Sequence, residues 1–332
     1  MEEFPLQKLK QWFALHARSF PFREKRTPYR VWVSEVMLQQ TRASVVASYF
    51  EKWMALFPTL QELAAASIER VLKAWEGLGY YSRARNLHRG AQLVVEKFNG
   101  QLPADFILLS QIPGIGPYTC GAILSFGFGQ KSVAIDANVT RVLARYLGEE
   151  RDICQREVKQ RFHNFVDELQ PINEELIELG ALVCQRRPLC SSCPLREECL
   201  GFRHGQAADL PRKKKRAQTL FLQRTVAVIV CQDHFLLWKG EKRKVMEDLY
   251  EFPFLEGKEI SLPSFEQILG IPLQYVRDLP CHQHSFTRYR VELYPHLLET
   301  NMWGENNMWK KREEIATLPF SSGHRRVLQE VL

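Results

Sequence analysis

The sequence predicts a chain in two parts, a mainly α N-terminal part followed by a smaller α+β part, and three observations carry that prediction. Over residues 1–200 apolar residues recur at helical spacing between short Gly/Pro stops. Near residue 200 the texture changes: Asp209-Leu210-Pro211 leads into the basic run Arg212–Arg216, and runs rich in β-branched and aromatic residues follow. The length, 332 residues, suits about two domains. The expected division is 1–200 for the helical part, 201–223 for a basic linker and 224–332 for the second part.

Element by element, helical spacing runs through Val31–Phe50, Ile68–Trp75, Leu87–Phe98, Phe106–Leu109, Val139–Leu147 and Leu176–Val183. Phe57-Pro58, Gly77-Leu78-Gly79 and Pro113-Gly114 punctuate them. Beyond the linker, Thr225–Cys231, Phe235–Trp238 and Tyr289–Leu298 read as strands, with helical stretches only near Phe265–Leu269 and Arg325–Val331. The basic run reads as a solvated linker or, alternatively, as a phosphate contact. No internal repeat or extended low-complexity tract is visible.

Hydrophobic residues make up 45% and charged residues 25%, so each part can bury a core. The formal net charge of +7 suits a polyanionic partner, because lysine and arginine bind phosphates while counterions are released. The opening residues include two acids and no long apolar core, unlike a signal peptide. No stretch approaches the ~18–20 apolar residues of a membrane span. The expectation is a soluble, cytoplasmic or nucleoid-associated monomer with no membrane partner.

Four of the eight cysteines, Cys184, Cys190, Cys193 and Cys199, fall within sixteen positions as C-x5-C-x2-C-x5-C. Thiolates so close in sequence can close around one metal centre with little loop entropy. Spacing alone leaves zinc and an iron–sulfur cluster open, since both accept four cysteines. Arg186, Arg187 and Arg196 lie among them, which suits a loop held against a DNA backbone. Cys120, Cys154, Cys231 and Cys281 are scattered and read as ordinary core or surface thiols.

Between two helical patterns lies Ile112-Pro113-Gly114-Ile115-Gly116-Pro117-Tyr118-Thr119. Gly114 and Gly116 permit a tight turn, and Pro117 fits the first turn of the next helix. Amides gathered there form an anion site, so this helix–hairpin–helix is a candidate for DNA phosphate. Two acids are candidates for chemistry. Glu35 sits in the apolar run Val31–Leu38, where burial would raise its pKa and make it a proton donor. Asp136 stands where a helical pattern begins, and an N-cap aspartate is kept ionised by amides and the helix dipole. One neutral acid beside one anion is the pair that cleaves glycosidic bonds through an oxocarbenium-like transition state. The alternatives are a simple cap for Asp136 and a pairing of Glu35 with Arg30 or Arg42.

Together these motifs resemble the MutY-type adenine DNA glycosylases of the endonuclease III superfamily. The matching segments are 27–41 (TPYRVWVSEVMLQQT), 75–87 (WEGLGYYSRARNL), the hairpin, 135–139 (IDANV) and 178–184 (ELGALVC). The resemblance implies a helix–hairpin–helix glycosylase fold with an iron–sulfur loop, a 4Fe-4S cluster on the four cysteines, and a Nudix-like C-terminal domain. It also implies excision of adenine mispaired with 8-oxoguanine or guanine in double-stranded DNA. Glu35 then matches the acid that protonates adenine at N7, and Asp136 the carboxylate that stabilises the sugar cation. Tyr118 stands where lyase-type relatives carry a catalytic lysine. A phenol cannot form the Schiff base of strand cleavage, so the implied enzyme is monofunctional. Gln40, Thr41 and Tyr80 match residues that enter the duplex while adenine is flipped out. Arg18, Phe22 and Glu174 match positions around the flipped base.

Leu249–Pro253 and the segment around His284–Tyr289 resemble the domain that helps recognise 8-oxoguanine, placing Phe286 and Thr287 at DNA. No run of glutamates has the spacing of Nudix hydrolases, so no nucleotide hydrolysis is expected. Four positions depart from the family pattern. The first cysteine spacing is five residues rather than six, Phe22 replaces tryptophan, and Ala137 replaces glycine. Phe286-Thr287-Arg288 stands for the usual Phe-Ser-His. Competing readings are a bifunctional endonuclease III-like glycosylase-lyase and a non-catalytic DNA-lesion sensor. A sliding-clamp peptide at Gln218-Thr219-Leu220-Phe221-Leu222 competes with a simple lead into a strand.

Overall fold

The structure, a computed structural model, describes residues 4–169, 171–212, 218–242, 245–302 and 309–332. Of the basic run, only Arg212 lies within the described residues. The chain divides into two compact units: Met1–Met54 with Leu93–Arg216, and Ala55–Gln92 with Ala217–Leu332.

In chain order the helices before the cysteines are α1 (Leu6–His16), α2 (Pro28–Leu38), α3 (Ala43–Leu56), α4 (Leu60–Ala65), α5 (Ile68–Ala74) and α6 (Ser82–Lys97). They continue with α7 (Phe106–Ser110), α8 (Pro117–Ala122), α9 (Ala137–Tyr146), α10 (Arg156–Leu169) and α11 (Asn173–Leu182). Local chemistry sets their starts. Thr27 accepts from the Arg30 amide with Pro28 at the first position of α2, and Asp105 does the same for α7 through Leu108. The single helical run expected over Val31–Phe50 is two helices, because Gln39–Arg42 forms a turn in which Gln40 takes φ +59°. A π-helical turn, Ile123–Gly127, extends α8, and residues 129–136 have no regular structure before α9.

One core of the first unit lies between α9, α10 and α11, where Val139, Leu143, Phe162, Leu176 and Leu179 are fully or almost fully buried. Cys184, Cys193 and Cys199 pack against its edge. Past the cysteines, α12 (Leu200–Arg203) closes the helical series.

The second unit is built on a seven-stranded sheet. Its strands are β1 (Leu220–Cys231), β2 (His234–Leu236), β5 (Phe254–Glu256), β6 (Gln274–Asp278), β7 (His282–Phe286), β8 (Tyr289–Glu299) and β9 (Trp309–Lys311); β3 (Trp238–Lys239) and β4 (Tyr250–Glu251) form a separate pair. The order β6-β8-β1-β2-β9 puts β1 and β8 side by side and parallel, from Leu220↔Tyr289 to Val230↔Glu299. β1 is buried on both faces, hence its unbroken apolar run over 226–231. Val226 and Val228 face a core with Phe252, Phe320 and Val327, the last on α15 (Ser322–Gln329). Ala227 and Ile229 face the opposite core with Phe265 of α13 (Leu262–Leu269).

A short helix α14 (Arg312–Ile315) and the strands β6 and β7 were not expected from the sequence. Within the same unit the 55–92 segment is fastened to the C-terminal fold. Tyr81 donates to the Phe320 carbonyl at 3.1 Å, Lys73 to that of Ala316 at 2.8 Å, and Arg325 pairs with Glu76. No helix among the described residues is long and apolar enough to cross a membrane.

Candidate active site

Glu35, Tyr118 and Asp136 line one cavity of about 1220 Å³ in the first unit. Glu35 comes from the buried stretch Val31–Met37 of α2, whose apolar neighbours pull its carboxyl out of water. Tyr118, at the second position of α8, donates its hydroxyl to Glu35 Oε2 at 2.6 Å. Burial pushes Glu35 up to about 7; the Tyr118 bond opposes the rise and the charge of Asp136 adds to it. Burial also raises Tyr118 well above the ordinary phenol value, so it stays a neutral donor.

Asp136 caps α9 as its position suggested. Its Oδ1 accepts from the Val139 amide at 2.7 Å and its Oδ2 from Asn138 Nδ2 at 2.7 Å. The cap is one of several influences on its ionisation. Burial raises Asp136 above the usual aspartate value, and the Val139 and Asn138 bonds and the Arg141 charge only oppose that rise. Burial thus disfavours the charge of Asp136, and a few aimed donors oppose that cost. Ala137, which stands where the family pattern has glycine, is the first residue of α9.

Arg141 continues the network outward. Its Nη2 donates to Asn138 Oδ1 at 2.8 Å and to the Gly180 carbonyl at 2.7 Å, and its Nε to the Cys184 carbonyl at 2.7 Å. The aspartate's partner is therefore joined by one guanidinium to the start of the cysteine loop.

The wall expected to surround the base has a different internal pairing from the one its residues suggest singly. Arg18 lines the cavity, but its guanidinium is bound to Glu178, at 2.6 and 3.3 Å, and Arg23 reaches the same carboxylate at 2.7 Å. Glu174 is held by Arg26 at 2.5 and 2.9 Å. Phe22 is buried, stacked on Phe20 with centroids 4.9 Å apart and edge-on to Phe50. The sequence reading gave no role to Arg23, Arg26, Glu178 or Asn138. A clue for Glu178 and Asn138 lay in their position inside the quoted motifs; Arg23 and Arg26 carried none.

Gln40 and Thr41 line the same cavity from the α2–α3 turn. In the hairpin, only Gly114 has a backbone that demands glycine, at φ +83°. Gly116 is extended, and a Cβ there would meet open space. Tyr80, Phe286 and Thr287 belong to the second unit. Tyr80 is 45% exposed at φ +48°, and Thr287 sits at φ +49° in the two-residue turn between Phe286 and Tyr289. A β-branched residue in the left-handed region is uncommon, which marks that hairpin tip as a held conformation.

Cys184, Cys190, Cys193 and Cys199 are free thiols that line one small cavity with Arg145, Arg196 and Phe202. Burial pushes Cys193 up to about 12, and Cys184 adds to the rise at Cys190, Cys193 and Cys199. Four thiols that line one cavity are the kind of donor set that can hold a cationic centre, which would favour their thiolate forms. Among the described residues no three Cys, His, Asp or Glu side chains are grouped as a single metal ion requires. Arg145, which is buried, donates to Cys184 Sγ at 3.3 Å and to the carbonyls of Gln185, Arg186 and Leu210.

Residues 33–168 match the HhH-GPD superfamily of base excision DNA repair proteins, and residues 225–330 match the NUDIX domain. The chain is 32% identical over 264 residues to the adenine DNA glycosylase of Buchnera aphidicola subsp. Baizongia pistaciae, covering 76% of this chain and 75% of that protein. It is 28% identical to that of Buchnera aphidicola subsp. Schizaphis graminum, covering 90% and 88%. With the human adenine DNA glycosylase it shares 44% identity over 58% of this chain and 38% of the human one. A solved thermostable thymine-DNA glycosylase superposes with a TM-score of 0.56 at 25% identity, over 60% of this chain and 95% of its own. An endonuclease III in complex with DNA gives 0.53 at 23%, over 60% and 94%. By the length and identity of these matches, this chain belongs to the adenine DNA glycosylase family.

Proposed function

We propose that this protein is a monofunctional glycosylase that excises adenine mispaired with 8-oxoguanine or guanine in double-stranded DNA. The observation that carries the reading is the juxtaposition in one cavity of a carboxyl raised to about 7 and an N-capped aspartate. Near neutral pH Glu35 holds a proton to give to N7 of the flipped adenine, which makes the base a better leaving group. Asp136, held by the Val139 amide and Asn138, faces the sugar as positive charge develops. Water then completes the hydrolysis and leaves an abasic site. Tyr118 aims Glu35 and supplies no amine for strand cleavage.

Glu174 and Phe22 line the adenine pocket beside Arg18, whose guanidinium serves to hold Glu178. Gln40, Thr41 and Tyr80 enter the duplex, and the left-handed backbones of Gln40 and Tyr80 support that role. Gly114 and Gly116 bring hairpin amides to a phosphate, for which the open space beside Gly116 leaves room. The helical part carries the chemistry, and the Nudix-like part reads 8-oxoguanine through Phe286 and Thr287. A 4Fe-4S cluster held by Cys184, Cys190, Cys193 and Cys199 would brace the cysteine loop and supply positive charge against which thiolates form; sulfurs ringing a cavity suit it. Leu220–Leu222 pair with Tyr289–Val291, which supports a strand over a clamp-binding peptide.

The test is release of adenine from duplexes holding one adenine opposite 8-oxoguanine, guanine or thymine, scored with and without alkali. Breaks opposite 8-oxoguanine only after alkali, and their loss in Glu35→Gln, are expected. No release from either mismatch by cluster-loaded protein would overturn the reading.

A further inference from the structure

The catalytic aspartate is delivered by a segment with no regular structure, residues 129–136, and one side chain bonds that segment at two points close to the aspartate. Asn173, the first residue of α11, is 2% exposed. Its Oδ1 accepts from the Ala134 amide at 3.1 Å, and its Nδ2 donates to the Ser132 carbonyl at 2.7 Å and to Ser125 Oγ at 3.0 Å. The amide thus grips the chain on both sides of Val133, three residues before Asp136, and ties it to the π-helical turn that carries Ser125.

Glycines seat the same stretch from two sides. A Cβ at Gly121 of α8 would lie 1.9 Å from the Val133 carbonyl oxygen, so that peptide rests directly on the α8 backbone. A Cβ at Gly180 of α11 would lie 2.7 Å from Asn138 Cβ, so the residue that bonds Asp136 Oδ2 is pressed onto α11. The glycine contacts fix the depth of the segment, but contact alone leaves it free to slide along the two helices. Directional bonds at Ser132 and Ala134 remove that freedom, and Asn173 makes both.

We propose that Asn173 is a positioning residue for the excision reaction, fixing the height of Asp136 against the sugar through Ser132 and Ala134. It rests on the reading of Asp136 as the catalytic anion. The bonds of Asn173 run to Ser132, Ala134 and Ser125, so its loss acts first on the segment that leads to Asp136.

Two variants, Asn173→Ala and Asn173→Asp, are compared with Asp136→Asn in single-turnover adenine release from the mismatch that the unsubstituted protein cleaves. The rate constant, read separately from the amplitude, is the decisive quantity: a residue that only supports folding changes the active fraction and leaves the rate constant of folded molecules alone. Both Asn173 variants should lower the rate constant about 10- to 100-fold, the effect of displacing a reacting group by about an ångström. The amplitude should be retained, as should binding to a duplex with an abasic analogue. Asn173→Asp has the same shape and decides the matter if Asn173→Ala does not fold. Its carboxyl can donate to Ser132 only when protonated, so its deficit relative to the unsubstituted protein should shrink from pH 8 to pH 5.5. Hydrogen exchange at the Ala134 amide should quicken in Asn173→Ala. Rate constants within threefold of the unsubstituted protein, or a deficit confined to amplitude, would overturn the inference while Asp136→Asn remains impaired. If Asp136→Asn itself retains the full rate constant, the reading of the site fails instead.

Discussion

Tyr118→Phe separates positioning from acidity at the proposed proton donor. The substitution removes one hydroxyl and leaves the ring on α8. The lost bond is a 2.6 Å donation to a carboxylate oxygen, of the charge-assisted kind worth about 1.5–3 kcal/mol. It favours the ionised form of Glu35, so without it the carboxyl holds its proton more tightly. At about 1.36 kcal/mol per pH unit, that is a rise of about one to two units. Excision that needs a protonated Glu35 falls as pH rises through about 7. In Tyr118→Phe that alkaline limb should therefore move upward, to about pH 8–9, by the same conversion. The plateau below it should drop by about tenfold, because a freely rotating acid is less often aimed. The assay is single-turnover release of adenine opposite 8-oxoguanine from pH 5.5 to 9.5. An alkaline limb that stays in place, or moves toward acid, would refute the assignment of Glu35 as the titrating donor and of Tyr118 as its partner.

Three further outcomes follow from the same physics. Glu35→Gln should abolish excision yet stabilise the protein in alkali. The folded carboxyl titrates at about 7 against 4.5 in water, so its contribution is intact below pH 4.5 and is lost as pH rises through 7, at a cost of about 3 kcal/mol. Chemical denaturation at pH 9 and pH 4 checks this, and an equal effect at both would contradict it. In the second unit, burial lowers His324 to about 3 and His284 to about 4. At pH 5 the unfolded chain binds protons at both while the folded chain binds neither, so stability should fall by about 2 kcal/mol for each histidine between pH 7 and 5. A melting transition of that unit insensitive to this interval would show that the histidines can charge in place. Arg145→Gln removes the buried guanidinium from Cys184 Sγ and three carbonyls. It should cost about 3 kcal/mol or more, as unpaired buried groups do, and open residues 184–210 to limited proteolysis; an unchanged cleavage pattern would count against it.

The sequence made some of these groups visible and hid others for a physical reason. Glu35 stands out because a carboxylate inside Val31–Leu38 breaks an otherwise apolar pattern. The four cysteines stand out by local spacing, and Asp136 by its place before a helix. Each of those signals is contained within a few residues. Arg141, Arg145, Asn173 and Glu178 are polar residues on helices, and no neighbouring residue signals that they are covered. They are buried or half-buried only because distant segments converge on them: Glu178 on Arg18, 160 residues away, and Arg145 on Leu210, 65 away. Strand β6 was missed for the opposite reason. It is an edge strand with all five residues exposed, so neither alternation nor an apolar run betrays it. The break at Gln39–Arg42 was hidden because Gln40 adopts a left-handed backbone without being glycine.

The convergence missed in the sequence also explains why Glu35 can keep a proton beside so many arginines. Arg18, Arg23 and Arg26 all line its cavity, and three unpaired guanidiniums there would pull a neighbouring carboxyl toward its ionised form. They are not unpaired. Arg18 and Arg23 share the fully buried Glu178, which their bonds hold below the usual carboxylate range although burial opposes it. Arg26 is matched by Glu174, and at Glu35 the pull of Arg26 is opposed by the push of Glu174. Burial remains the largest influence on Glu35, and burial favours the neutral acid. The ionic wall thus supplies polar groups and shape to the cavity while burial outweighs the pull of Arg26 at the proton donor, and that order of influences allows one pocket to be lined with arginine and still hold a protonated carboxyl.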